Sequence, residues 1–325
     1  MRKIEMNMLR LLAAACAFAS FAVCAQEWPS KPIRLVIPYA AGGAGDITFR
    51  ALMPAIEAKL GQRFVIDNKL GASGNVGAAD VMRAAPDGHT LLLGATNNFA
   101  TNQYLMKGMD FDPITAFAPV MLVSNTPTVI IVNNALPVKT LRELVSYAKA
   151  NPGKLNYASP GNGTVAHLAG ELFSEIAGIQ MVHVPFKGAP PANNALLANE
   201  VQVFLTPLPS ILGALKGGRV RAIATGAKAR LEALPDVSTT TEQGMSELIT
   251  GNWWGLVAPK ATPARIVDRL AAEVRATLAD PEVRKRYSEI GMEPGSGGPK
   301  ELEALMKSEA ARWKKVIDRA KVLVE

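Results

Sequence analysis

The sequence predicts an α/β fold that is divided into two domains. Short apolar segments of strand length alternate along the chain with longer segments whose apolar residues recur at helical spacing, the pattern of sheets covered by helices. A strand, a glycine-rich turn and a helix follow one another twice, at residues 33–60 and 155–176. The chain of 325 residues also exceeds the roughly 100–200 residues of one ordinary domain. These observations favour two α/β domains with largely parallel sheets.

The first 25 residues have the pattern of a secretory signal. An apolar run at positions 11–23 separates a basic amino end from the small residue Ala25. This run is shorter than the ~20 apolar residues needed to span a bilayer, and no later segment reaches that length. We therefore expect an exported chain whose signal is cleaved near Ala25.

Both cysteines of the chain, Cys16 and Cys24, lie in this first segment. A lipoprotein anchor at Cys24 is an alternative, but Val23 and Phe21 fit a lipobox poorly. Cleavage after Ala25 would leave no cysteine, so we expect neither disulfides nor thiol chemistry in the mature chain.

The charge distribution argues against a nucleic-acid partner. The formal net charge is +7, but the lysines and arginines are scattered along predicted helices and are not interleaved with aromatic residues. A modest positive field of this kind suits an anionic ligand or an acidic partner.

Nine segments have the length and composition of strands. They are residues 33–39, 64–68, 91–95, 128–132, 155–157, 181–184, 201–205, 220–225 and 255–257. Amphipathic helices are predicted between many of them, such as residues 47–60. Two more helices end the chain, one with Thr262 as N-cap and Pro263 as first residue and one over residues 299–321. Ligands bind such sheets at the carboxyl ends of strands, where both glycine turns lie.

The first glycine turn lies within residues 33–50, IRLVIPYAAGGAGDITFR. Gly42, Gly43 and Gly45 permit positive φ and let a ligand approach the backbone, and the first amides of the helix favour a carboxylate or phosphate. The turn lacks the GxGxxG spacing of a dinucleotide site and the Lys-Ser/Thr of a P-loop. A plain strand-to-helix turn is therefore the alternative interpretation.

The second turn lies within residues 155–176, LNYASPGNGTVAHLAGELFSEI. Its glycines, Gly161 and Gly163, stand between a strand and a run of apolar residues at helical spacing. Two amide-rich helix starts that face each other across a cleft would hold the two ends of a small dianion. This arrangement is typical of a receptor more than of an enzyme.

Six motifs, in this order, resemble the Bug family, the periplasmic substrate-binding receptors of tripartite tricarboxylate transporters. They are WPSKPIRLVIPYAAGGAGD (28–46), VIDNKLGASGNVGA (65–78), APDGHTLLLG (85–94), SPGNGTVAHLAGELF (159–173), HVPFKGAPPA (183–192) and GNWWGLVAPKATP (251–263). The resemblance implies a two-lobed periplasmic-binding-protein type II (Venus flytrap) fold. With crossings near residues 122–128 and 225–234, lobe 1 would comprise residues 26–124 and 235–325, and lobe 2 residues 125–234.

The resemblance also implies which residues bind the ligand. Receptors of this family hold one carboxylate with backbone groups and ordered water at the first glycine loop and engage the rest of the ligand through the second lobe. The matching positions are Pro38, Tyr39, Ala40, Gly42, Gly43 and Asp46 in the first loop, Ser159, Gly161, Gly163, Thr164 and His167 in the second, and Phe186 in the VPFKG motif. The residues after the strand 91–95, namely Thr96, Asn97 and Asn98, are expected to line the cleft as well.

Several of these residues have structural alternatives. Asp46 is equally suited to cap the helix that begins at residue 47, and His167 is expected to orient the second loop more than to contact the ligand. Trp253 and Trp254 are interpreted as packing residues, with stacking on the ligand as the alternative. Neither His89 nor His183 has a partner at metal-ligand spacing, so no metal is expected, and no cofactor is expected either.

Three departures from the family pattern bear on the ligand. Gln202 and Thr206 stand where aspartates are frequent in relatives, and Phe186 replaces a common tyrosine. An amide can donate to a carboxylate whereas an aspartate cannot, so Gln202 is included among the candidate ligand residues. The hypothesis is a carboxylate with an apolar or aromatic body, and amino acids are disfavoured.

The function implied by the resemblance is that of a periplasmic, monomeric, non-enzymatic receptor. It would capture a small di- or aromatic carboxylate for the large and small membrane subunits of a transporter. One alternative is a sensor that presents its ligand to a membrane histidine kinase. A periplasmic hydrolase that uses Ser159 or Thr164 with His167 and Asp46 is disfavoured, because the sequence around Ser159 lacks a G-x-S-x-G elbow.

Overall fold

The computed structural model describes residues 28–320 except 107, 108 and 110. The predicted signal, residues 1–25, lies outside the described residues. Within the described part of the chain, every helix is too short or too polar to cross a bilayer.

Strands and helices alternate along most of the chain, as the sequence predicts. The strands are β1 (Ile33–Ile37), β2 (Phe64–Asn68), β3 (Thr90–Ala95), β4 (Phe117–Asn133), β5 (Leu155–Ser159), β6 (Met181–Pro185), β7 (Val203–Pro207), β8 (Val220–Thr225), β9 (Gly251–Pro259) and β10 (Glu293–Pro294). The helices are α1 (Ala44–Leu60), α2 (Asn75–Met82), α3 (Asn102–Leu105), α4 (Leu141–Ala150), α5 (Val165–Ala177), α6 (Ala189–Leu197), α7 (Leu212–Lys216), α8 (Ala264–Leu278), α9 (Pro281–Glu289) and α10 (Pro299–Ala320). A π-helical turn, Asn97–Thr101, leads into α3, and 3-10 turns occupy Ala72–Gly74, Leu208–Ser210 and Ser246–Leu248.

The strands form a mixed sheet in the order β2-β1-β3-β9-β4-β7-β5-β6, with β8 and β10 also paired to β4. β1 is parallel to β2 and β3, and β5 is parallel to β6 and β7. The central strands β4 and β9 run antiparallel to their neighbours. The predicted parallel pairing is therefore confirmed for the outer strands, and the fold is the two-lobed type II fold.

The strand β4 is much longer than the predicted strand at residues 128–132. Its first part pairs with β9, from Phe117 opposite Pro259 to Pro127 opposite Gly251, and its second part pairs with β7 and β8. Prolines are rare inside central strands, so Pro119 and Pro127 weaken the sequence signal. The structure accommodates Pro119 at a register shift of the ladder.

Helices cover both faces of each half of the sheet. In the first half, α1, α8 and α9 bury side chains such as Leu52, Leu270 and Tyr287 on one face. On the other face α10 buries Leu302, Met306, Trp313 and Ile317. In the second half, α4 and α5 pack on one face and α6 and α7 on the other. Four apolar layers of this kind, two in each lobe, fix the helices against the sheet.

The chain passes between the halves twice. The first crossing is β4 itself, whose pairing changes from β9 at Pro127 to β7 and β8 from Thr128 onwards. After β8, Thr225 still pairs with Thr239, and Leu248 packs among the side chains of the second lobe. We propose that the second crossing lies at residues 249–251, later than the expected 225–234, and that residues 235–248 belong with the second lobe.

Candidate functional site

A cavity with about 580 Å³ of empty space, part of it open to solvent, lies between the two lobes. Its walls come from both lobes and from the crossing strands. The lining residues are Tyr39, Ala40, Gly43, Ala44, Asn97, Thr128, Pro160, Thr164, Val165, Ala166, Gly188, Ala189, Leu205, Pro207, Ser210, Asn252 and Trp254. None of these residues has a charged side chain, so a charged ligand has to be met by dipoles.

Three helices begin at the cavity wall. The N-cap of α1 is Gly43, that of α5 is Thr164 and that of α6 is Gly188, and none of the three makes a side-chain capping hydrogen bond. The first amides of a helix have no acceptor within the helix, and the helix dipole adds positive potential there. Residues 190 and 191 of α6 are prolines without an N–H group, so α6 offers only the Ala189 amide, and α1 and α5 supply the other free amides. The two lobes thus present N–H groups to the same space, an arrangement that favours an anion. The start of α6 was not predicted.

The first glycine loop is braced by Asp46. Its Oδ2 atom accepts a hydrogen bond from the Gly42 amide (3.0 Å) and forms an ion pair with Arg50 Nε (2.8 Å). Asp46 itself is buried and does not line the cavity. Because Gly43 is the N-cap of α1, Asp46 acts inside the first turn and holds the loop by the Gly42 amide.

The indole ring of Trp254 forms part of the cavity wall next to this loop. A Cβ atom on Gly45 would lie 2.3 Å from Trp254 Cζ3, so glycine is required for the ring to pack against the start of α1. Tyr39 meets the same ring edge to face at 5.5 Å. Trp253 instead stacks on Phe99 in the core, and the structure therefore separates the two tryptophans.

Buried asparagines hold the cavity wall beside Tyr39. The Tyr39 hydroxyl donates to Asn97 Oδ1 (2.6 Å), and Asn97 Nδ2 donates to the Ser73 carbonyl (2.6 Å). Burial raises the pKa of Tyr39, so its hydroxyl remains a donor. Thr96 does not line the cavity; its Oγ1 accepts from the Trp253 amide (3.0 Å) and thereby joins β3 to β9.

The second glycine loop is held by two stacked histidines. His167 Nδ1 accepts a hydrogen bond from the Gly163 amide (3.1 Å), and its ring lies 3.8 Å from that of His183. Ser159 Oγ lies 2.7 Å from His183 Nε2 and accepts from the Gly161 amide. Burial lowers the pKa of His167, and burial together with His167 lowers that of His183 to about 3. Both rings are neutral at pH 7, as the acceptor role of His167 requires.

A shallower groove continues from the cavity to the surface. It contains the predicted residues Pro38, Gly161 and Phe186 and shares Tyr39, Ala40 and Thr164 with the cavity. The structure thus brings Tyr39, Ala40, Gly43, Asn97 and Thr164 to the cavity itself. Gly42, Asp46, Ser159, Gly163 and His167 lie behind this lining and shape the two loops.

The structure does not bring Gln202 to the site. Its side chain donates to the Asn199 carbonyl (3.0 Å) and accepts from the Asn156 amide (3.1 Å). This position precedes β7, whereas the cavity meets the other end of the strand at Leu205 and Pro207. This geometry does not support a contact between Gln202 and a ligand in the cavity, which stays a prediction, and Thr206 does not line the cavity either. The ligand hypothesis loses the support of both residues.

Several lining residues were not predicted. Gly188 and Ala189 carry a usable signal, because a glycine before Ala-Pro-Pro is typical of a helix start. Thr128, Ser210 and Asn252 carry none, because each is a single polar residue whose neighbours in the cavity are distant in sequence.

The family model of the tripartite tricarboxylate transporter family receptor matches residues 48–322. The protein BugT of Bordetella pertussis is 31% identical over 318 residues, which cover 96% of this chain and 98% of that protein. Two solved structures are similar: Rpa4515 of R. palustris with adipate (TM-score 0.89, 34% identity, 91% and 99% of the two chains) and MatC of Rhodopseudomonas palustris with bound malate (TM-score 0.84, 32% identity, 89% and 100%).

Proposed function

Because the chain belongs to the tripartite tricarboxylate transporter receptor family, we propose that it is a periplasmic receptor for a small carboxylate and that it delivers this ligand to membrane transporter subunits. The ligand would be a di- or aromatic carboxylate held in the cavity between the lobes. This family consists of solute-binding receptors, and the proposed role is binding without chemistry.

The observation that supports this proposal most strongly is the convergence of three helix starts, from both lobes, on a cavity without a charged side chain. A hydrogen bond to a charged group contributes roughly 1.5–3 kcal/mol. Four such bonds to carboxylate oxygens, less the cost of ordering the ligand, are sufficient for micromolar affinity, about −8 kcal/mol.

The distribution of polar and apolar groups supports a ligand with an acidic end in each lobe. Amides of α1 lie on one side of the cavity, and those of α5 with the single Ala189 amide of α6 lie on the other. Trp254 and Leu205 offer apolar surface to the body between them. Ser210 Oγ and Trp254 Nε1 are buried and have no hydrogen-bond partner among the described residues, so they are available as donors. Adipate and malate in the two similar structures are dicarboxylates of this kind.

The positions of the candidate hydrolytic residues support a role without catalysis. Ser159 is fully buried and outside the cavity lining, and Nδ1 of His167 is occupied by the Gly163 amide. Thr164 lines the cavity, but its Oγ1 donates to the Gly161 carbonyl (2.8 Å). Asp46 lies in the first glycine loop, where it binds the Gly42 amide and Arg50.

A thermal-shift screen of protein refolded without ligand tests the proposal. The panel contains adipate, malate, benzoate and aspartate. A saturable rise in the melting temperature with one of the carboxylates is expected, because a ligand that binds only the folded state stabilises it. No shift with any of the four acids would contradict the proposal.

A matched pair of variants locates the binding site. Ala189→Asp places a carboxylate at the start of α6 in the cavity wall, where its charge would repel an anion. Gln202→Asp adds the same charge outside the cavity. We expect the first variant to lose the shift and the second to keep it; equal shifts would place the ligand elsewhere.

A further inference from the structure

The loop of residues 71–75, which we call the latch loop, has an unusual backbone. Ala72 (φ 45°) and Ser73 (φ 48°) are consecutive non-glycine residues in the left-handed region, between Gly71 (φ 132°) and Gly74 (φ 90°). This region is disfavoured for residues with a Cβ atom, and such a conformation persists only where its surroundings hold it. The contacts of Ser73 therefore need an explanation.

On one side, the Ser73 carbonyl is bound to the cavity wall. It accepts hydrogen bonds from Asn97 Nδ2 (2.6 Å) and Asn102 Nδ2 (3.1 Å), both on buried side chains. Asn97 also accepts from the Tyr39 hydroxyl, and Tyr39 and Asn97 both line the cavity. A ligand that orders Tyr39 and Asn97 thus also stabilises the position of the Ser73 carbonyl, because Asn97 donates to it.

On the other side, the Ser73 hydroxyl reaches across the cleft. It donates to the carbonyl of Asn162, which lies in the second glycine loop. Beside this bond, Thr101 Oγ1 donates to the Gly163 carbonyl (3.3 Å). Each bond joins residues of different lobes, so a rotation that separates the lobes has to break both.

We propose that Ser73 is a positioning residue that couples ligand contact at Tyr39 and Asn97 to closure of the lobes. When the cavity wall is ordered, the latch loop is held in place, and the Ser73 hydroxyl then binds the second glycine loop and holds it over the ligand. The hydroxyl acts on the closed state and therefore slows ligand release. The kinetic part of this inference rests on the proposed carboxylate function.

The test compares Ser73→Ala and Ser73→Gly with Ser308→Ala. Ser308 Oγ also donates to a carbonyl, that of Leu305, but within one helix far from the cleft. Stopped-flow measurements with adipate give association and dissociation rates. Loss of one hydrogen bond predicts dissociation about three to ten times faster in both Ser73 variants, with association within about twofold. Ser308→Ala should match the wild type.

The two Ser73 variants separate the hydroxyl from the backbone. Glycine accepts a positive φ more easily than alanine, so a purely conformational role would leave Ser73→Gly like the wild type. That result would overturn the inference, as would faster dissociation in Ser308→Ala.

A ligand-free arm keeps the test independent of the proposed function. Residues 28–320 contain no cysteine, so Lys59→Cys and Lys149→Cys allow one fluorescent label on each lobe for energy transfer. The closed fraction without ligand should fall in Ser73→Ala, and an equal fraction would overturn the inference. If none of the four acids binds and the closed fraction still falls in Ser73→Ala, the proposed carboxylate function is contradicted, whereas the role of Ser73 in lobe closure is supported.

Discussion

Gly45 shows how the absence of one side chain shapes the cavity. The Trp254 ring occupies the place of its missing Cβ, so the start of α1 and the aromatic wall of the site lie in direct contact. A receptor that recognises its ligand with backbone amides depends on such packing, because the position of a helix start fixes the position of every donor.

Gly45→Ala is expected to displace the Trp254 ring and to weaken carboxylate binding about tenfold. Overpacking of this kind costs ~1–3 kcal/mol, partly offset by the ~1 kcal/mol that alanine gains over glycine in a helix. Gly213→Ala is the control, because a Cβ there meets nothing within 4 Å. Titration calorimetry with the best ligand of the panel measures the effect, and equal affinities for the two variants would contradict it.

Asp46→Ala removes the acceptor of the Gly42 amide and the partner of Arg50. The first glycine loop should lose its fixed position, and the affinity should fall about tenfold, ~1–2 kcal/mol. Asp280→Ala is a matched control, because Asp280 also accepts from backbone amides, at the start of α9. The control should lower the melting temperature and leave the affinity unchanged. Unchanged affinity in Asp46→Ala would remove the loop brace from the binding mechanism.

Local sequence identified those site residues whose neighbours in the cavity are also neighbours in the chain. Tyr39, Ala40 and Gly43 follow one strand and Thr164 precedes one helix, so strand-turn-helix geometry is sufficient to place them. Asn252 and Trp254 reach the cavity through β9, whose antiparallel position was not predicted. Gln202 lies away from the cavity because the residue that faces a site depends on which end of the strand reaches it.

Helices were predicted more accurately than the central strands. The helix predicted over residues 47–60 is α1, which begins three residues earlier, and the helix predicted over residues 299–321 is α10. At α8 the expected cap moved by one residue, with Pro263 as N-cap in place of Thr262. Helical periodicity survives burial of one face, whereas β4 is buried along most of its length and contains prolines. Its pattern therefore resembles an irregular apolar segment.

The layer formed by β5, β6 and α5 contains the stacked histidines, and its stability should depend on pH. The groups that face His183 are the His167 ring, the Tyr157 ring at 4.9 Å and Ser159 Oγ; Glu171 lies 3.9 Å from His167 Nε2. The pKa of His183 falls from 6.5 to about 3 on folding. Below pH 6.5, His183 therefore binds a proton in the unfolded chain but stays neutral in the folded chain down to about pH 3.

The free energy of unfolding is therefore expected to decrease as the pH falls from 7 towards 4. In His183→Gln, which has no titrating group at this position, the decrease should be smaller. Urea unfolding at a series of pH values measures both slopes. Identical slopes in the two proteins would show that His183 does not contribute.

In the described conformation, hydrogen bonds at Ser73 and Thr101 join the two lobes across the cleft. The motifs predicted the two lobes and the family correctly, because long blocks in a fixed order specify a topology. They could not predict the degree of closure, which depends on contacts between loops that are far apart in sequence. The second crossing that we propose lies later than the expected one, since residues 235–248 carry no signal that distinguishes one lobe from the other.

Gly188→Ala should prevent full closure. Gly188 has φ 107°, and a Cβ atom there would lie 3.0 Å from Ala40 Cβ on the opposite lobe. Small-angle scattering with a bound carboxylate should show a contracted wild type and a less contracted variant. Gly218→Ala, with φ 66° and no neighbour within 4 Å of the added Cβ, carries the backbone strain without the interlobe contact. Equal contraction of Gly188→Ala and the wild type would contradict the prediction.

The position of β9 between β3 and β4 also has a consequence for biogenesis. The ribosome makes β1 to β4 well before Gly251–Pro259, so β3 and the first part of β4 are edges without a partner while the second lobe is synthesised. Exposed edges of apolar strands are templates for pairing with other chains. The nascent first lobe therefore has to be kept from aggregating until the carboxyl-terminal part of the chain arrives, and a truncation before residue 251 should yield insoluble protein.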